Sequence, residues 1–367
     1  MDRKFIACAI FFIFIISSGH LFSQKEMFFN SVELNYSPGY IMPHNKSIDY
    51  MIKDRTSAFN INLIKQTKGK KRWQQLYHNP RIGYGFYHGT LGNNNVYGKS
   101  YSLYSFFEGP CWNYQNDFMI NYRLSYGVSY VSKTFDIYDN YNNIAIGSNL
   151  NIHFSLMLNA AVPLTDQLTF VSGVNFTHFS NGKVKSPNKG LNVVSASAGM
   201  RYLLYPLKYE ENSDVEIPPV KDKNSFSLFW SHGVKDFNRF NRTKYYISSL
   251  TLNFEHKYKH WGRYGLGTDL FYDNSLKNFI KDEENAHNLN SELFRLGIHG
   301  SHDFIVGDFA LSLQLGYYIY SKIFYITNLY SRVGIKYNVY KSWQAKISLK
   351  SHNANAEFIE FGIGYKW

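Results

Sequence analysis

Cysteine is almost missing from this chain of 367 residues, which has only Cys8 and Cys111. Cys8 sits in an N-terminal segment with the marks of a cleaved leader, so the mature chain keeps Cys111 alone. That excludes an internal disulfide, a cysteine framework and a cysteine-based zinc site. Long apolar runs are missing as well. After residue 24 no stretch approaches the roughly 20 residues that a spanning helix needs, which excludes a helical membrane protein. There is no HExxH pattern and no phosphate-binding glycine loop. His88, His153 and His256 are scattered singly, in the manner of ordinary polar side chains. No metal and no other cofactor is therefore expected. Acidic residues are short too, 27 Asp and Glu against 39 Lys and Arg, for a formal charge of +12. For an exported chain this balance points to a phosphorylated lipid surface rather than nucleic acid, or simply to lysines that keep loops soluble.

Aromatic residues, in contrast, make up 18% of the chain, with 31 Tyr and 30 Phe at a mean hydropathy of -0.33. A cytosolic enzyme is dominated by Leu, Ala and Glu, whereas this composition suits strands and aromatic girdles. The first residues, MDRKFIACAIFFIFIISSGHLFSQ, place Arg3 and Lys4 before an apolar run and a patch of small residues. This reads as a secretory signal peptide over 1–23, cut after Ser23, in preference to a membrane anchor.

Alternation with period two recurs from end to end. Leu150, Ile152, Phe154, Leu156 and Leu158 share one face, with Asn151, His153, Ser155 and Asn159 on the other. Phe309–Tyr320 and Tyr246–Glu255 split the same way. The chain ends IEFGIGYKW, with Ile359, Phe361, Ile363, Tyr365 and Trp367 on one face. That ending looks like the closing strand of a bacterial outer-membrane barrel. Further runs bring the count to about 14 to 16 strands, long enough to cross the hydrocarbon when tilted. The fold expected is all-β, a transmembrane antiparallel up-and-down β-barrel over 24–367, with an eight-stranded unit plus extension as the alternative. The alternative arises from the charged, Pro-bearing stretch LKYEENSDVEIPPVKDKNS (Leu207 to Ser225), which is too long for an inner turn. A soluble secreted β-sandwich would alternate as well, and strand length and the C-terminal strand weigh against it.

On this register the segment THFSNGKVKSPNKGLN lies at the outer end of two strands. The apolar face of Leu168, Phe170, Val174 and Phe176 ends in His178 and Ser180, and Asn192 shares that outward face on the next strand. If Ser180 lies opposite Asn192, His178 lies opposite Val194. Asn181-Gly182 is a strong tight-turn signal, which would make the polar pair mere interfacial residues. Pro187 and the late return of alternation near Leu191 favour a longer loop instead. Positions i and i+2 on a strand put both side chains on one face, about 7 Å apart at Cα. There an imidazole can take the proton of a serine hydroxyl while a third group fixes its tautomer. The Asn181 amide or nearby backbone N–H groups would hold an oxyanion.

HFSNG, followed by PNKG and Asn192, resembles the PagL-type lipid A 3-O-deacylases, and YDNYNNIAIGSNLN is similar to relatives described as acyloxyacyl hydrolases. The resemblance is clearest over 118–206. It implies an outer-membrane serine esterase acting on an acyl ester of lipid A or a related outer-leaflet glycolipid, without nucleic acid. His178 would be the base, Ser180 the nucleophile and Asn181 the oxyanion helper. The family's third member is a glutamate where this chain has Asn192, so an acid such as Asp136 or Asp139 enters as a possible substitute. Lys183 and Lys185 would meet lipid phosphates as point charges, or serve only as solvated loop lysines. A non-catalytic channel or structural barrel with a degenerate motif is the rival expectation.

Overall fold

The computed structural model describes residues 29–113, 118–205, 217–237, 240, 243–280, 291–322, 327–353 and 355–367. The leader assigned to 1–23 lies outside them, as does most of the Leu207 to Ser225 connection. Among the described residues no helix is long and apolar enough to cross a membrane.

Among the described residues sixteen strands form, all antiparallel to their neighbours, and they close as two rings of eight. The arrangement carried as the alternative is therefore the one adopted, rather than a single sixteen-strand ring. The first ring comprises β1 (Ser31–Ile41), β2 (Thr56–Gln66), β3 (Arg81–Thr90), β4 (Lys99–Asn113), β5 (Met119–Val131), β6 (Leu150–Pro163), β7 (Leu168–Ser180) and β8 (Leu191–Leu203). It shuts by pairing β1 with β8, Ser31 opposite Leu203 and Ile41 opposite Val193. The second comprises β9 (Asn224–Asp236), β10 (Lys244–Lys259), β11 (Gly262–Asp273), β12 (Phe294–Val306), β13 (Phe309–Ser321), β14 (Leu329–Tyr340), β15 (Trp343–His352) and β16 (Asn355–Lys366). Its seam is β16 on β9, and the last residue joins it: Phe226 and Trp367 exchange backbone hydrogen bonds of 3.0 Å in each direction. Closure matters physically because an open edge in hydrocarbon would leave backbone amides without partners.

Each strand follows its two-residue period. Leu156, Leu158 and Val174 point outward and are exposed, while Asn151, His153, Ser155 and Asn159 point inward and are buried. The inside of the first ring holds charge rather than oil. Arg123 makes a fork onto Glu33 with distances of 2.6 and 2.9 Å, and Arg201 bridges Glu33 at 2.7 Å and Glu108 at 2.9 Å. Arg81 meets Glu108 at 3.0 Å, and Asn35 donates to Glu33 at 2.7 Å. In the second ring Lys336 lies between Glu255 and Asp303 at 3.1 and 3.0 Å, and Lys235 between Asp273 and Glu357 at 2.8 and 2.9 Å. Asp269 collects Arg332, His299 and the Tyr330 hydroxyl at 2.7, 2.7 and 2.6 Å. Such side chains meet across the ring, and each charge has the partner that burial demands.

At the outer end of the first ring the interior turns apolar. Ile41, Leu91, Tyr97, Val131, Phe179, Leu191 and Val193 pack there with Ala145 and Ile146 from the long β5–β6 loop and Ile48 from the short helix α1 (Lys46–Asp49). This cap seats the β5–β6 loop beside the ends of β7 and β8.

Candidate active site

β7 runs out to Ser180 because its residues keep alternating to the last position. Thr177 and Phe179 face inward and are buried, which sends His178 and Ser180 to the outer wall. The register differs from the one expected. His178, not Ser180, stands directly opposite Asn192, and the last β7–β8 pair is Phe179 with Leu191. Ser180 pairs across the other side of its strand with Ile152 of β6. The β7–β8 connection is a long loop, and the chain returns to the sheet only at Leu191.

Direct opposition brings the two side chains into contact. The imidazole Nδ1 of His178 is 2.6 Å from Oδ1 of Asn192. A carbonyl oxygen only accepts, so Nδ1 carries the proton and Nε2 keeps its lone pair. That is the tautomer a general base needs. The position beside Nδ1 is thus filled by an amide rather than by an acid. Asp136, one of the two acids considered for it, accepts from the backbone N–H groups of Tyr138 and Asp139 at 2.9 and 3.2 Å and so shapes its own turn; Asp139 lies in the same turn and is exposed. Among the described residues no hydrogen bond joins Ser180 Oγ to the ring. In unliganded hydrolases such contacts are often open and tighten when substrate binds.

Two features that residue patterns did not reveal frame the end of β7, one at His178 and one at Asn181. Gly190 adopts a left-handed conformation with φ of +77, and a Cβ there would lie 2.7 Å from His178 Cε1 and 3.3 Å from Nε2. Its N–H donates to the Ala145 carbonyl at 3.0 Å, which ties the end of the loop to the β5–β6 excursion. The second feature is Ser148, whose Oγ accepts from the Asn181 amide at 2.8 Å while donating to the Leu150 carbonyl at 2.9 Å. Although Ser180 and Asn181 lie at the rim of the outer wall, they are only 4% and 5% exposed. Asn143 holds the adjoining loop: its amide donates to the Val96 and Lys133 carbonyls, and its oxygen accepts from Ile146 N–H at 3.0 Å.

Lys183 and Lys185 are placed differently from the polar pair. Residues 182–189 pack as part of the second compact unit, whereas His178, Ser180, Asn181 and Asn192 belong to the first. Asp236 N–H donates to the Lys183 carbonyl at 3.2 Å, and Asp236 accepts from Ser186 N–H at 2.9 Å. Burial, with Lys235 nearby, holds the Lys183 ammonium below the ordinary lysine range. The two loop lysines therefore belong to a different unit from His178 and Ser180.

A chain of closed barrels with polar interiors and apolar walls, carrying His178 and Ser180 side by side at an outer rim, defines a protein of the outer-membrane barrel class. Residues 58–201 match the family model for lipid A 3-O-deacylase (PagL), and residues 224–367 match that for the acyloxyacyl hydrolase C-terminal domain. The chain belongs to the PagL-type lipid A deacylase and acyloxyacyl hydrolase family. Among solved structures it is similar to the outer membrane enzyme PagL at 16% identity, over 46% of this chain and 97% of that one, with a TM-score of 0.34. It is also similar to Neisserial surface protein A at 12% identity, over 47% of this chain and 96% of that one, with a TM-score of 0.32. No curated protein matches.

Proposed function

We propose that this protein is an outer-membrane hydrolase that removes an acyl chain from lipid A or a related outer-leaflet glycolipid, with Ser180 as nucleophile, His178 as base and Asn192 as its support. The observation that carries this reading is the 2.6 Å contact between His178 Nδ1 and Asn192 Oδ1, on the outward wall beside Ser180. An export leader over 1–23 and a position in the outer membrane of a bacterial cell belong to the same reading, as does hydrolysis without a metal.

The chemistry runs in two halves. Ser180 Oγ attacks the ester carbonyl of an acyl chain lying along the barrel wall, and its proton passes to His178 Nε2. The tetrahedral oxyanion collects N–H donors at the β7 terminus, the Asn181 amide among them. Collapse breaks the bond to the sugar oxygen, which takes the proton back from Nε2 and leaves as an alcohol. Water then attacks the acyl-serine and gives a proton to Nε2; the second collapse breaks the bond from the acyl carbon to Ser180 Oγ, which takes that proton back as the fatty acid leaves. Lipid phosphates would be met by loop lysines, Lys183 and Lys185 being the candidates on charge.

The channel reading finds less support, because in both rings inward charged side chains meet across the interior. Purified protein in detergent, mixed with lipid A, should release free fatty acid detectable by mass spectrometry. Ser180→Ala should lower that rate by about 10⁴-fold or more. Equal release with and without the hydroxyl would refute the hydrolase reading.

A further inference from the structure

The contact between His178 and Asn192 does not end at Asn192. The other end of that amide, Nδ2, lies 3.2 Å from Nδ1 of His44. His44 follows β1, in the short link before α1, and it reaches Asn192 because β1 and β8 form the seam of the first ring. Ile41 pairs with Val193, and Met42 N–H donates to the Asn192 carbonyl at 2.8 Å, which fixes the link directly over Asn192. Asn45 then caps α1 through Ser47 N–H at 2.9 Å, so the chain around His44 is held on both sides.

From this geometry we infer that His44 is a positioning residue for the reaction, the outer member of a His178–Asn192–His44 relay. The inference rests on the hydrolase reading given above. An asparagine differs from a carboxylate in having two unlike ends. Turned the wrong way, it would offer N–H to His178 Nδ1, force the proton onto Nε2 and abolish the base. With its Nδ1 as the acceptor, His44 is a partner only for Nδ2, so it sets Oδ1 toward His178. It also answers the missing charge in part. When His178 becomes imidazolium, its Nδ1–H draws electron density along the amide, and Nδ2–H becomes a stronger donor with His44 Nδ1 there to accept it. His178 donates to Asn192, and Asn192 to His44: every proton in the relay points the same way.

The test compares His44→Phe, which keeps a ring and removes the acceptor, in two backgrounds. In the otherwise unchanged protein kcat should fall about tenfold, the worth of one orienting hydrogen bond, with KM unaltered. In Asn192→Asp, whose two oxygens need no partner to tell them apart, the same change should cost less than about twofold. Heat-modified gel mobility verifies that each barrel is closed. No change in kcat in the first background, or an equal loss in both, overturns the proposal. A readout without turnover comes from ¹⁵N NMR of labelled histidine in Ser180→Ala, with the His178 signals assigned by His178→Gln. Loss of the single Nδ1–H form of His178 on adding His44→Phe supports the relay, and its persistence overturns it. If Ser180→Ala leaves fatty-acid release intact, the hydrolase reading fails, while the NMR result still decides whether His44 sets the tautomer.

Discussion

Asn192 gives His178 a tautomer but no full negative charge, and that difference has a measurable size. Replacing it by Asp, equal in shape, places a carboxylate beside the imidazolium as it forms. An opposite charge at that range favours the protonated ring by a pKa unit or more, so Asn192→Asp should raise kcat by about tenfold, read as fatty-acid release at saturating lipid. Gly190 permits the opposite prediction. Its φ of +77, and the mere 2.7 Å that would separate an added Cβ from His178 Cε1, mean that Gly190→Ala must push the ring or the loop aside. Catalysis should drop by about 10²-fold, since an ångström of misplacement costs that much, while gel mobility stays that of a closed barrel. Of these residues, His178, Ser180 and Asn192 were visible in the sequence because parity put them on one face. His44 was not: a single histidine in a loop looks the same whether or not a seam carries it to a partner.

Among the elements, the β5–β6 loop is the one that shapes the surroundings of Ser180. It is held by polar contacts at Asn143, itself fully buried, and by the apolar seat of Ala145 and Ile146. Asn143→Ala would leave the Val96 carbonyl with one donor fewer and the Ile146 N–H without its acceptor, a loss of about 1–3 kcal/mol. Limited proteolysis on intact cells should then cut between residues 132 and 149, where the unchanged protein should resist. Strand positions were legible throughout, because a two-residue period survives any loop. The pairing partner at the tip was not. Register depends on where the return strand rejoins, and a loop that ends in a left-handed glycine brings His178 rather than Ser180 opposite Asn192.

For the molecule as a whole, the undecided matter was how many rings sixteen strands would make. Local alternation is the same for one ring or two; the answer lies in whether β8 pairs onward to β9 or back to β1, and only the long charged connection after Leu207 hinted at it. The ion pairs inside the first ring are the other feature hidden from local pattern, since Glu33, Glu108, Arg123 and Arg201 come from four different strands. Arg123→Met would take one guanidinium from two buried carboxylates at once, leaving Glu33 and Glu108 to share Arg201, with Arg81 on Glu108 alone. That should destabilise the first barrel by about 3–5 kcal/mol, seen as conversion to the unfolded gel form at lower temperature, whereas an Arg-to-Met change on an exposed loop should have no such effect.

The meeting of the first and last strands of the first ring carries one more consequence. Its opening and closing segments supply different parts of the proposed relay, so a chain still in transit through the periplasm, with that ring unshut, would hold His178 and Asn192 without His44. The full rate of lipid cleavage would arrive only with insertion, and the membranes crossed on the way out would be partly spared by the order of assembly itself.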